Sequence, residues 1–361
     1  MQTKASANPL AHALTSAGGL LLPPPAPVAP DDRWLQWIAE NLLRGCTAES
    51  MLDAMTASGL SREKSAAAMR SMEQNPAFLA AKKWQQIQRK YESVLANHQK
   101  LGELSPDYRV VEKRTQLSRG EFMDRYVRGC RPLVLTGMAA DWPAMKRWSP
   151  LDLKARFGHL EVEVQTQRNA DPHFEQNKLD HRMKIQLGAF VDQVLAGGGT
   201  NDYYLTANNE MLRSPDFAPL LDDIGTLPDF CNRGELPRSS WFWFGPAGTD
   251  TPLHHDAVML LHTQVVGRKR WRFVSPLEIP RLYNYNNVFS PIDVDAPDLV
   301  RYPAFRDVKV LEVVVEPGET VFLPLGWWHQ VTALDISMSF SFTNLAVPNE
   351  YTYLNPSIDD W

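Results

Sequence analysis

Cysteine is scarce: Cys46, Cys130 and Cys231 are the only three in 361 residues, and no Cys-x-x-Cys pair occurs. Such spacing excludes a disulfide framework or a zinc ribbon and fits a reducing, cytoplasmic setting. An excess of positive charge is also missing, since 37 Lys+Arg against 42 Asp+Glu leaves a net charge of −5. No global basic field for nucleic acid is expected. Long apolar runs are absent too. The one long stretch free of Asp, Glu, Lys and Arg, 5–30, is broken by Pro9, His12, Pro23, Pro24, Pro25, Pro27 and Pro30. It reads neither as a membrane span nor as the core of a secretory signal. No internal repeat of fixed period is visible. What is present is a globular composition, 44% hydrophobic, 22% charged and 10% aromatic, enough for one large domain and a smaller one.

The chain reads in four stretches. Residues 1–30 form a Pro-rich, disordered N-terminal segment whose prolines favour stiff, extended chain. Residues 31–101 form a small helical module. Leu35, Ile38 and Leu42 recur at helical spacing until Gly45; Thr47 and Ser61 are N-caps for a second and third helix; and a longer helix follows Pro76. Its expected role is packing, dimerisation or capture of a partner. Residues 106–348 carry short β-branched and aromatic runs between Gly, Pro and Asp, with strands at 108–111, 132–135, 160–164, 240–244, 257–266, 270–274, 308–315, 320–323, 330–334 and 336–343. Helices are expected at 119–126, 150–157 and 185–195. The fold class is therefore mainly β with flanking helices, a sandwich or jelly roll, and 349–361 is a C-terminal tail.

The chemistry concentrates in Thr-Pro-Leu-His-His-Asp (251–256) and, far downstream, Trp-Trp-His-Gln (327–330). On extended chain His254 and Asp256 leave the same face and can share one ion, while His255 points away. With His329 as a third donor they make two histidines and one carboxylate, the set of non-haem Fe(II) oxygenases. His262 lies about 26 Å further along a straight strand, too far to join them, so it and His255 are expected to be structural or to support the ligands from behind. In Arg-Lys-Arg-Trp-Arg-Phe (268–273), alternation puts Lys269 on the face of Trp271 and Phe273, with Arg268, Arg270 and Arg272 on a solvated face. An ammonium among aromatics is costly without a partner. The far carboxylate of a 2-oxo diacid supplies one, with the Thr251 hydroxyl as a second donor.

These residues resemble the JmjC, or cupin-8-like, Fe(II)- and 2-oxoglutarate-dependent oxygenases, and are close in pattern to the asparaginyl hydroxylase of hypoxia-inducible factor. The resemblance spans about 110–348. It includes Arg-Pro-Leu-Val-Leu-Thr-Gly (131–137), Asp-Trp-Pro (141–143), Trp-Ser-Pro (148–150), Gly-Arg-Lys (267–269), Tyr-Pro (302–303), Pro-Gly (317–318), Pro-Leu-Gly-Trp-Trp-His (324–329) and Thr-Asn (343–344). It implies a double-stranded β-helix (cupin jelly roll), with His254, Asp256 and His329 as iron ligands. Lys269, Thr251, Tyr204 and Asn344 are then co-substrate contacts, with Tyr203 an alternative to Tyr204. The pattern departs at Val-Met-Leu-Leu (258–261) and at Leu345-Ala346.

The activity implied is oxidative decarboxylation of 2-oxoglutarate with Fe(II) and O2, coupled to hydroxylation of a side chain in a protein or peptide. Hydroxylation of a small metabolite or free amino acid, or a metal-binding cupin without 2-oxoglutarate chemistry, are the alternatives. The stretch between Arg281 and Tyr302 is too long for a hairpin turn, and long loops on rigid scaffolds tend to bind ligands. Tyr283, Asn284, Tyr285 and Asn287 are its candidate contacts to an extended peptide. Partners expected are thus a polypeptide substrate and a homodimer, with no nucleic acid and no membrane.

Overall fold

The computed structural model describes residues 28–284 and 286–351. Most of the Pro-rich segment, the tail beyond 351 and Tyr285 lie outside the described residues. The chain divides into two compact units, Met1–Glu92 and Ser93–Trp361.

The first unit holds helices α1 (Asp32–Arg44), α2 (Ala48–Ala57) and α3 (Arg62–Gln74), the last two beginning at the expected caps. The side chains of Asp31, Thr47 and Ser61 accept from the backbone N–H groups of Trp34, Ser50 and Lys64, each satisfying a donor that the helix cannot. Gly45 ends α1 at φ +82°, a conformation costly to residues with a Cβ. Ile38, Met51, Met55, Leu60 and Met69 form this unit's core. Helix α4 (Pro76–Gly102) follows, and its Trp84 and Tyr91 are largely exposed.

The second unit is a double-stranded β-helix. Its larger sheet has the order β1-β2-β10-β7-β12-β5 and its smaller sheet β6-β11-β8-β9. The strands are β1 (Glu112–Arg114), β2 (Leu133–Thr136), β5 (Ser240–Gly245), β6 (Asp250–His255), β7 (Leu260–Val266), β8 (Lys269–Val274), β9 (Val310–Val315), β10 (Glu319–Leu323), β11 (Trp328–Ala333) and β12 (Ser337–Phe342). A separate hairpin pairs β3 (Glu161–Gln165) with β4 (Arg182–Gln186).

Alternation decides what faces the space between the sheets. In β5, Phe242 and Phe244 enter the main core beside Phe340 and Phe342 of β12 and the helices Pro150–Phe157 and Leu187–Ala196. That sends Trp241, Trp243 and Ser341 to the other face, where they line a cavity. In β8, Lys269, Trp271 and Phe273 are buried and Arg270 and Arg272 half-buried, as alternation requires. Gly267 (φ +69°) turns β7 into β8 where a Cβ would collide with the Ile336 carbonyl, and this turn delivers Lys269 to the start of its strand.

Several expected boundaries move. Residues 108–109 are turn and 110–111 irregular, and the strand starts at Glu112, because the Tyr108 amide bonds back to the Ser105 carbonyl. The helix expected at 185–195 starts at Leu187, since Ile185 and Gln186 pair with β3. The strand expected from Ala257 starts at Leu260, because the chain reverses after Asp256. The helix expected at 119–126 is one α turn, Arg119–Glu121, continued as the π-helix Phe122–Val127.

Candidate active site

Antiparallel pairing of β6 with β11 sets His254 directly opposite His329, with ring centroids 4.1 Å apart. Asp256 follows β6 by one residue, and its Oδ2 is 3.8 Å from His329 Nε2. Ligand atoms of all three lie within 4.8 Å of one another, the one such group of His, Cys, Asp and Glu among the described residues. Each ring is oriented by main chain: His254 Nδ1 meets the Pro252 carbonyl at 2.8 Å and His329 Nδ1 the Trp327 carbonyl at 3.1 Å. With Nδ1–H donating, both Nε2 lone pairs face the carboxylate. Burial, and then the neighbouring His254, push His329 well below the usual histidine range, so it is a neutral donor. Two imidazoles and one carboxylate fit Fe(II) and leave coordination positions open. His255 points to the opposite face and packs against the Trp328 ring at 4.7 Å.

The triad sits at one end of a cavity of about 320 Å³ between the two sheets, a size suited to a small acid. Lys269 is only 2% exposed; its Nζ donates to Tyr204 Oη (3.0 Å) and Ser339 Oγ (2.8 Å). Burial pulls its pKa down to about 7, and both protein partners are neutral hydroxyls. One ammonium hydrogen and the Tyr204 hydroxyl hydrogen remain to meet an anion. Thr251, on β6 with His254, lines the same cavity. Val258, Leu260, Trp241, Trp243, Trp271 and Val331 make the rest of the wall largely apolar.

His262 also lines the cavity, contrary to the straight-strand reading. The chain reverses after Asp256, so β7 carries His262 back in the opposite sheet, where it pairs with Val321 and Ser341. Its ring lies 5.0 Å from Trp271 and 6.0 Å from Trp243, and its buried Nε2 has no hydrogen-bond partner among the described residues. Burial and the Lys269 charge hold it well below the usual histidine range. Ser339 was equally invisible to motif reading; only the alternation of Ser and large apolar residues along 337–342 signals that its hydroxyl faces inward.

Asn344 is not among the residues lining the cavity: its side-chain amide donates to the Asn232 carbonyl at 2.7 Å, and Thr343 takes the place at the wall. Tyr203 also turns away, its hydroxyl donating to the Gln193 carbonyl. Nor do the described residues of the 281–302 loop line the cavity. Tyr283 Oη accepts from Ala304 N, and Asn284 Nδ2 donates to the carbonyls of Asn287 and Phe289. These groups are spent on the loop's own fold, while Phe289 bridges to His254 at the edge of β6. Tyr285 is outside the described residues. The arginines of 268–272 are ion-paired rather than simply solvated: Arg268 with Asp335, Arg270 and Arg272 with Asp295, and Arg272 also with Glu312. Asp295 thereby anchors the loop on the outer face of β8.

Residues 119–347 match the family described as Cupin-like domain. Among curated proteins, the chain is 32% identical over 229 residues to Lysine-specific demethylase 8 of Xenopus tropicalis, covering 61% of this chain and 49% of that protein. It is 35% identical to Lysine-specific demethylase JMJ30 of Arabidopsis thaliana, covering 64% and 54%. HSPB1-associated protein 1 of Homo sapiens is 30% identical over 57% of this chain and 46% of its own length. The chain spans about half the length of these relatives.

Proposed function

Because this chain belongs to the cupin-like, JmjC-type family whose members use Fe(II), 2-oxoglutarate and O2, we propose that it is a 2-oxoglutarate-dependent oxygenase that hydroxylates a side chain of a protein or peptide. The observation that carries this reading is one cavity with the His254, Asp256 and His329 donor set at one end and a buried lysine, held by neutral partners only, at the other. A metal-binding cupin without an acid co-substrate leaves the Lys269 ammonium unexplained.

Iron at this triad supplies activation of O2 coupled to decarboxylation of 2-oxoglutarate and oxidation of a C–H bond. The protein's part is orientation. His254 and His329 present Nε2 because their Nδ1–H groups are held by the Pro252 and Trp327 carbonyls. Lys269, Tyr204 and Thr251 bind the far carboxylate of the co-substrate and so fix which end of it reaches the triad. The aromatic walls keep bulk water from the space between.

Relatives named as lysine demethylases and as an HSPB1-associated protein support a polypeptide substrate. The apolar lining from Val258, Leu260 and Trp241 suits an uncharged carbon skeleton, which favours hydroxylation over removal of methyl groups from a charged lysine. The test is incubation of the iron-loaded protein and 2-oxoglutarate with peptides from a cell extract, read by mass spectrometry. Gain of one oxygen on specific peptides supports the proposal. Loss of methyl groups from lysines, or oxidation of free amino acids only, overturns its finer part.

A further inference from the structure

Behind the wall that carries Tyr204 lies a fully buried arginine, Arg168, 1% exposed. Its Nη2 donates to Glu175 Oε1 at 2.9 Å and to the Asp250 carbonyl at 2.8 Å. The guanidinium is clamped between the Phe174 ring at 4.2 Å and the Tyr204 ring at 5.3 Å. Two of its nitrogens, Nε and Nη1, have no hydrogen-bond partner among the described residues. Burying a guanidinium with three of its five N–H donors unmet is a poor route to stability, because the desolvation cost of a buried ion pair is recovered only when its hydrogen bonds are complete.

Its contacts point to a different role. One partner, the Asp250 carbonyl, belongs to the residue just before Thr251 on β6. The other, the Tyr204 ring, carries the hydroxyl that accepts from Lys269. We propose that Arg168 is a positioning residue that fixes Tyr204 and Thr251, and through Tyr204 the Lys269 ammonium, as a preformed receptor for the far carboxylate of the co-substrate. Cation–π contact fixes the plane of the tyrosine ring, and the bond to β6 fixes the height of the threonine along its strand. The positive charge behind the ring also makes the Tyr204 hydroxyl a stronger donor toward an anion in the cavity. Arg168 touches neither the metal triad nor the cavity, so its loss should be felt by one ligand and not the other.

This inference rests on the oxygenase reading, and one set of titrations separates the two. Mn(II) and then 2-oxoglutarate are titrated by calorimetry into the full chain, as wild type, Arg168→Met and Arg168→Lys. The expected result is unchanged Mn(II) affinity in all three, 2-oxoglutarate affinity at least about tenfold weaker in Arg168→Met, and partial recovery in Arg168→Lys, whose charge remains but whose planar fork is lost. In turnover, the change should lie in the KM for 2-oxoglutarate, with kcat at saturation nearly kept. Unchanged 2-oxoglutarate affinity in folded Arg168→Met, or equal losses for Mn(II) and the acid, would overturn the positioning role. Should Arg168→Met fail to fold, Phe174→Leu decides in its place, because it loosens the same clamp: selective weakening of 2-oxoglutarate supports the role and an unchanged affinity overturns it. Failure of the wild type to bind 2-oxoglutarate at all overturns the oxygenase reading itself.

Discussion

The two ends of the cavity are built in opposite ways. At the metal end, His254 and Asp256 are two residues apart and His329 faces His254 across one strand pair, so three ligands come from two neighbouring segments. At the acid end, Lys269 and Ser339 come from strands of opposite sheets, and Tyr204, backed by Arg168, comes from a separate segment that bridges to Gln165. A metal site can be specified by local spacing; a receptor for a flexible diacid needs donors on several walls. If the two ends are separable, each should be breakable without the other.

The largest effect is expected from Asp256→Ala, which removes the only anionic ligand: Mn(II) or Fe(II) binding and all turnover should be lost, as measured by calorimetry and succinate release. Metal affinity kept within a few fold would show that the triad is not the metal site. Next is Lys269→Ala. Breaking a buried charged pair costs about 3–5 kcal/mol, so the 2-oxoglutarate requirement should rise by about two orders of magnitude or more with metal affinity intact. Loss of metal binding in this variant would mean that the two ends are one unit.

This separation explains what was legible in the sequence. His254, Asp256, His329, Thr251 and Lys269 follow from strand parity and residue chemistry, and the cavity collects them all. Most strands and the N-caps Thr47 and Ser61 follow from the same patterning. His262 stays outside the metal triad, as expected, but it faces the cavity because the chain folds back after Asp256 instead of running on as one straight strand. Ser339 is signalled only by the alternation along 337–342, and Arg168 by no motif, since its role exists only once the Gln165–Tyr204 bridge brings the tyrosine ring to it. The part played by the 281–302 loop is not legible from its composition, because Asn and Tyr serve equally well to bind a peptide or to tie a loop to itself, as Asn284 does.

A pH titration sharpens the contrast. Burial lowers Lys269 to about 7, and an anion beside it stabilises the charged form. Binding of 2-oxoglutarate should therefore take up a proton above about pH 7, and affinity should fall by about tenfold per pH unit at most as pH rises. Below pH 7 the lysine is already charged and the dependence flattens. Tyr204 is raised by burial and His262 is lowered, so both stay neutral through this window. Mn(II) affinity, by contrast, should not fall over the same rise in pH, and a fall that parallels the acid's would contradict the assignment.

Smaller changes are expected elsewhere. His262→Leu should weaken 2-oxoglutarate by about fivefold, the worth of one hydrogen bond, leaving metal binding unchanged in the same calorimetric titration. Asp295→Ala, which frees the loop from Arg270 and Arg272, should cost less than about 1 kcal/mol in denaturant unfolding, as half-exposed ion pairs do. Succinate formation should not change, because the described residues of the loop do not line the cavity; a collapse would show that it governs access.

The most direct measurement is succinate release from 2-oxoglutarate by the Fe(II)-loaded protein with no other substrate, compared between wild type and His329→Ala. Slow, iron-dependent succinate from the wild type and none from the variant is the predicted result. No succinate from a wild type that binds both iron and 2-oxoglutarate, or equal release from His329→Ala, would contradict it.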